Sequence, residues 1–225
     1  MKKVLYAVIA GGAATIISGP ALADLIYTGI IPSVSGGVGN SQIVLSLSSP
    51  GNSTSETGSV TPAGCSGDTQ SPCSSPANQT PTFASAGVMS AQDIAIWLDA
   101  QEPENLFTVN SLTFNVFAAT GTSSVPLFSA SLIGTPLNLS TCPGQGLSCV
   151  NAFVLDDPQA LLLQSFFATN LRVGLSSTLS NATGGPDRFF LASRGVAVPE
   201  PGTLALLGAG IAALGFAGRR RKAIG

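Results

Sequence analysis

The sequence predicts a mainly β protein: an antiparallel β-sandwich, compatible with a jelly-roll, followed by a single C-terminal transmembrane helix. Three observations predict it. Short alternating or β-rich runs recur between residues 24 and 197, separated by Gly, Pro, Ser and Asn. That stretch lacks a sustained helical period. An uncharged apolar segment, 203–218, then precedes a basic cluster at the very end.

The strand candidates follow in order. Gln42–Leu47 is the first. In Asp93–Leu98, Ile94, Ile96 and Leu98 share one face, and Ala95 and Trp97 the other. Leu106–Ala118 is the strongest, although neither of its faces is purely polar; it reads either as two strands or as one covered on both sides. Pro126–Leu132, Val150–Leu155, Leu171–Leu179 and Arg188–Ser193 complete the set. Asp157-Pro158 opens one helical stretch to Phe167, with Asp157 as N-cap and Pro158 as first helical residue. Residues 48–82 are rich in Ser, Thr, Pro and Gly and read as a surface loop or a partly disordered insertion.

Charge separates the ends from the middle. The 225-residue chain has a net charge of −2. Between residues 24 and 198, however, only Arg172, Arg188 and Arg194 oppose ten carboxylates, a net of −7 with no lysine. Such a surface repels phosphate backbones and argues against nucleic-acid binding. The chain contains no histidine, which removes Ser-His-Asp and Cys-His catalysis and His-ligated zinc.

The N-terminus carries an export address. Lys2 and Lys3 precede an apolar run from Val4 to Ile17, a Gly19-Pro20 break, and Ala21-Leu22-Ala23. This is the layout of a signal peptide, residues 1–23, with Ala21 and Ala23 as the small residues of the cleavage site. The other reading of the same run is an uncleaved membrane anchor. Export implies the secretion machinery, signal peptidase and an oxidising compartment. There the four cysteines allow three pairings. Loop-closure entropy favours local pairs, Cys65–Cys73 and Cys142–Cys149, each contributing about 2–3 kcal/mol. A four-cysteine zinc site fits these spacings poorly.

The C-terminus carries a second address. Pro199-Glu200-Pro201 breaks regular structure. The sixteen residues 203–218 span about 24 Å as a helix, just short of a hydrocarbon core of about 30 Å. Arg219, Arg220, Arg221 and Lys222 place that end on the cytoplasmic side of an inner membrane. Val198-Pro-Glu-Pro-Gly-Thr203, the Gly-rich apolar segment and Arg219-Arg-Arg-Lys222 together resemble the PEP-CTERM sorting domain of Gram-negative bacteria. The resemblance covers residues 198–222 and leaves 24–197 unassigned. It implies recognition at Pro199, Glu200 and Pro201 by an exosortase, a membrane transpeptidase, and passage from an inner-membrane intermediate to the cell surface or medium. It also implies a setting of biofilm and exopolysaccharide.

Asp93, Asp99, Glu102, Glu104, Asp156, Asp157 and Asp187 are the carboxylates from which a calcium site or a glycosidase pair would have to be drawn. No Asp-x-Asp-x-Asp loop is present, and no cofactor is expected beyond that calcium option. Trp97, the single tryptophan, reads as core or as a sugar-stacking platform. Asn52, Asn78, Asn138 and Asn181 each open an Asn-x-Ser/Thr triplet. The favoured expectation is a non-enzymatic surface or matrix protein that interacts with exopolysaccharide. A lectin-like carbohydrate-binding module comes second and a carboxylate-dependent hydrolase third.

Overall fold

The computed structural model describes residues 24–32, 41–49, 51, 53–70, 79–102, 106–141 and 149–194. The signal peptide, the transmembrane helix expected over 203–218, the whole tail, Cys73, Cys142, Glu104, Asn52 and Asn78 lie outside them. Among the described residues no helix is long and apolar enough to cross a membrane.

The described residues form a mainly β structure with eleven strands. They are β1 Asp24–Pro32, β2 Gln42–Leu47, β3 Ser55–Thr61, β4 Gly64–Gly67, β5 Ile94–Asp99, β6 Leu106–Phe117, β7 Phe128–Leu132, β8 Leu137–Ser140, β9 Cys149–Leu155, β10 Arg172–Ser180 and β11 Asp187–Ser193. They join in one curled sheet of order β2-β11-β5-β9-β1-β7-β6-β10-β3-β4, with β8 on β6. The expected division into two separate antiparallel sheets is therefore not observed. The two halves meet at a parallel pairing, Asp24 with Ser131 and Leu25 with Leu132. All other named pairings are antiparallel.

The curl brings the ends of the sheet together. Leu47, the last residue of β2, bridges Thr69, just past β4. Around that bridge the Ser48 N–H donates to the Asp68 carbonyl at 2.9 Å, and the Gln70 N–H donates to the Ser46 carbonyl at 3.0 Å. Edge strands left unpaired are templates for aggregation; here each end supplies partners to the other. Gly58 in β3 allows this approach, because a Cβ there would stand 2.6 Å from Leu47 Cδ2.

Alternation along each strand decides which side chains enter the interior. Leu45, Leu47, Ile94, Ile96, Leu98, Phe153 and Phe189 from one half meet Val109, Phe114, Val116, Val173 and Leu175 from the other in a single core. The opposite face of the first half carries a smaller apolar cluster of Ala95, Trp97, Val150, Ala152, Val154, Phe190 and Ala192. That second cluster explains why β5 is buried on both sides.

Two expectations take a definite form. Leu106–Phe117 is one strand, and the break in its alternation is a bulge: the ladder to β10 slips where Val109 and Ser111 face Leu179 and Thr178. The extra residue moves the inward set from Phe107 and Val109 to Leu112, Phe114 and Val116. Residues 48–82, expected as a loop, instead contribute β3 and β4, with β3 hydrogen-bonded along β10. The ladder and the inward Val60 hold that polar segment despite its low intrinsic β character.

The helix, α1, spans Asp157–Gln164 and is capped by Asp156 rather than Asp157. The Asp156 carboxylate accepts from the Gln159 N–H at 2.8 Å, which shifts Asp157 into the first turn.

Gly67 and Gly121 separate backbone strain from steric conflict. Both have positive φ, +81° and +88°. A Cβ on Gly67 would stand 2.1 Å from the Thr57 carbonyl oxygen, whereas one on Gly121 meets nothing within 4 Å. Gly121→Ala should cost about 1 kcal/mol from φ alone. Gly67→Ala should lower the urea midpoint distinctly further, because β3 and β4 must separate at the Gly58–Gly67 pair to admit it. Equal losses would show that the β3–β4 ladder opens at this pair without cost.

Candidate functional site

The bridge between the sheet ends lies beside a group of three buried carboxyls. Glu56 is inward on β3, sharing the face of Val60. Asp187 opens β11 opposite Leu47 and points to the same side as Phe189. Glu102 follows β5. Relative exposures are 0% for Glu56, 0% for Asp187 and 5% for Glu102, which places all three out of bulk water.

One oxygen of each carboxyl is engaged. Glu102 Oε2 accepts from the Thr183 and Gly184 N–H groups at 2.5 and 2.8 Å, in the β10–β11 turn. Asp187 Oδ1 accepts from the Gln101 N–H at 2.9 Å. Glu56 Oε1 stands 2.9 Å from the Ser49 hydroxyl, which also stands 2.5 Å from the Ala182 carbonyl oxygen. Ser49 has a single hydroxyl proton for these two acceptors. Both contacts are satisfied together when Glu56 is protonated and donates to Ser49.

The other oxygens, Glu56 Oε2, Glu102 Oε1 and Asp187 Oδ2, are buried without a donor. Burial, aided by the charges of Glu56 and Glu102, pushes the Asp187 carboxyl up to about 9. Burial also raises Glu56, against the lowering effect of its Ser49 hydrogen bond and with the further raising effect of Glu102. Among the described residues no arginine answers this charge. Arg172 donates to the Ala118 and Gly121 carbonyls. Arg188 pairs across the ladder with Asp99 on the opposite face of the sheet. Arg194 lies beyond the other end of β11. As they stand, no three acidic, cysteine or histidine side chains among the described residues are arranged to hold a metal ion.

The remaining sequence candidates are dispersed. Asp93 and Asp99 lie at opposite ends of β5, about 20 Å apart at strand rise. Asp93 accepts from the Ser90 hydroxyl at 2.7 Å. Asp99 is raised by burial, with Gln101 and Arg188 opposing the rise. Asp156 caps α1 and Asp157 is exposed in its first turn. Of the carboxylates considered, the fold brings together Glu102 and Asp187 and adds Glu56. Period-2 alternation across Ser55–Thr61 was the signal for Glu56, since it puts this residue on the side of Val60. Trp97 is 8% exposed within the second apolar cluster, so its ring is not presented as a platform. Cys65 is disulfide-bonded.

The sorting address itself is decided by comparison. Residues 197–222 match the family model of the PEP-CTERM protein-sorting motif. The chain carries a PEP-CTERM tail. Pro199, Glu200, Pro201 and Arg219–Lys222 all fall inside the matched residues. No curated protein and no solved structure matches the chain. The tail therefore marks an exported protein addressed to exosortase, while the β body has no assigned relative.

The carboxyl trio sets an unusual pH dependence. The folded Asp187 holds a proton that the unfolded chain, with its ordinary value of 3.8, has already released. Stability is then fully present below about pH 4 and is lost as pH rises towards 9, at about 1.4 kcal/mol per pH unit for one extra bound proton. In calcium-free buffer, urea midpoints should fall between pH 5 and 8 (roughly the span between the two values). Asp187→Asn should flatten the slope. A midpoint that rises over this range would contradict the assignment.

Proposed function

We propose that this protein is an exported, non-enzymatic component of the cell surface or extracellular matrix, released or displayed after exosortase processing, with a structural or interaction role tied to exopolysaccharide. The PEP-CTERM match at residues 197–222 is the observation that carries this proposal. Signal peptidase acts after Ala23, and the inner membrane holds the chain by 203–218 until exosortase acts near Pro199-Glu200-Pro201. The body supports the proposal in two ways. Its net charge of −7 over residues 24–198 suits a hydrated, non-sticking exterior. The one carboxyl group assembled among the described residues is sealed from substrate-sized molecules, with Glu56 and Asp187 both at 0% exposure. The lectin-like alternative draws no support from Trp97, which is packed in the second apolar cluster.

Mass spectrometry of the protein from cells and from medium tests this directly. The mature form should begin at Asp24 and end at or near the Pro-Glu-Pro segment. Glu200→Ala should accumulate a membrane-bound chain that retains Gly225. An intact residue 225 on surface-exposed wild-type protein would overturn exosortase processing. The same spectra locate the disulfides, for which Cys65–Cys73 and Cys142–Cys149 are proposed.

A further inference from the structure

We propose that the outer face of α1, with Leu161, Leu162 and Phe166, seats the body on the lipid bilayer while the tail anchors the chain. The proposal rests on the reading of 203–218 as the segment held in the inner membrane. Pro158, Leu161, Leu162 and Ser165 share one face of the helix by their spacing. The other face is buried through Gln159, Ala160 and Leu163. A surface helix carries polar or charged residues on its outer side. α1 instead exposes Leu161 at 64% and Leu162 at 50%, and Phe166, just past its end, is exposed too. Met89 adds a further exposed apolar side chain two residues ahead of the 3₁₀ turn Ala91–Asp93. That turn is fixed to α1, since the Ala91 N–H donates to Gln164 Oε1 at 2.8 Å.

The occupant of this face follows from where the chain leaves the body. Both membrane addresses attach at the α1 end. The Asp156 N–H, at the N-cap of α1, donates to the Asp24 carbonyl at 3.2 Å, and the expected signal peptide ends one residue earlier, at Ala23. The Arg194 N–H donates to the Asp93 carbonyl at 2.7 Å, at the close of the same 3₁₀ turn. Eight residues, 195–202, separate Arg194 from the apolar segment. Fully extended they reach no further than about 30 Å. The end of the body that carries α1 is thereby tethered close to the bilayer, and the opposite end of β11, at Asp187, lies about 20 Å further along the strand. Leucine and phenylalanine side chains enter the boundary between headgroups and acyl chains, with a strength that scales with the apolar area buried. So small a patch on a body of net charge −7 binds weakly alone. The tether supplies the effective concentration that makes the contact persist. Processing near Pro199-Glu200-Pro201 removes the tether and so also frees the body from the membrane surface.

The test places the full-length chain in nanodiscs of phosphatidylethanolamine and phosphatidylglycerol doped with a diazirine phospholipid, and maps lipid adducts by mass spectrometry. Adducts should form on the tail and on the peptide spanning α1. They should be absent at Leu106, which is 62% exposed but starts β6, a strand whose other end meets Arg172 on the α1 side. The double variant Leu161→Gln, Leu162→Gln should lower the α1 adducts at least about fivefold, as loss of apolar contact requires, with tail adducts unchanged. Its urea midpoint should stay near that of wild type, because both side chains are exposed. Tail adducts without α1 adducts would overturn the docking and leave the anchoring intact; if such chains also dimerise through α1, the face belongs to a second copy. A tail without adducts would overturn the anchored reading and this proposal with it. Adducts as frequent at Leu106 as on α1, or undiminished in the double variant, would also overturn it.

Discussion

The fold depends on closing one curled sheet over a patch of buried negative charge. Leu47 and Thr69 bridge the ends of the sheet. Immediately inside that bridge, Glu56 and Asp187 face the interior with no described cation beside them. Three ionised carboxylates in so dry a place would repel one another and force the ends apart, since the desolvation of even one buried charge amounts to several kcal/mol. The sheet can close only if that charge is reduced, and burial raises both Glu56 and Asp187 towards protonation. Closure and charge are therefore coupled, and pH acts on the architecture through this one place.

The rest of the body is organised to make closure hold. Phe114, Phe153 and Phe189 fill the space between the two halves. The parallel pairing of β1 with β7 joins the halves at one side, and the Leu47–Thr69 bridge does so at the other. Folding of the body and sorting of the tail occupy separate parts of the chain. Residues 24–194 contain the β structure, and the PEP-CTERM match begins at residue 197. Processing near Pro199-Glu200-Pro201 would leave every described strand intact.

Much of this was legible in the residues, for physical reasons that differ by element. β2 was read to its ends because Ile43-Val44-Leu45 is apolar, its first two residues are β-branched, and polar residues bound it. The faces of β5 followed from strict alternation. β6 was found, but its one-residue bulge blurred the period and left its form open. β3 and β4 were read as loop because Ser-Glu-Thr-Gly-Ser-Val-Thr has one apolar side chain; hydrogen bonding to β10, a tertiary interaction, makes it a strand. β1 and β8 were not anticipated, being fixed by pairing partners more than a hundred residues away for β1 and by a short ladder to β6 for β8. Glu102 and Asp187 stood among the carboxylates considered, but their meeting with Glu56 depends on the curl of the sheet, which no local pattern encodes. The sorting tail was legible outright, because its recognition depends on a linear order of residues rather than on a folded surface.

If closure and charge are coupled in this way, these carboxyls carry less than their full charge at neutral pH. Carboxyl carbon NMR of the selectively labelled full-length chain, titrated in calcium-free buffer, measures this most directly. Asp187 should titrate near 9. An Asp187 carboxyl that titrates in the ordinary range for aspartate, near 4, would contradict it.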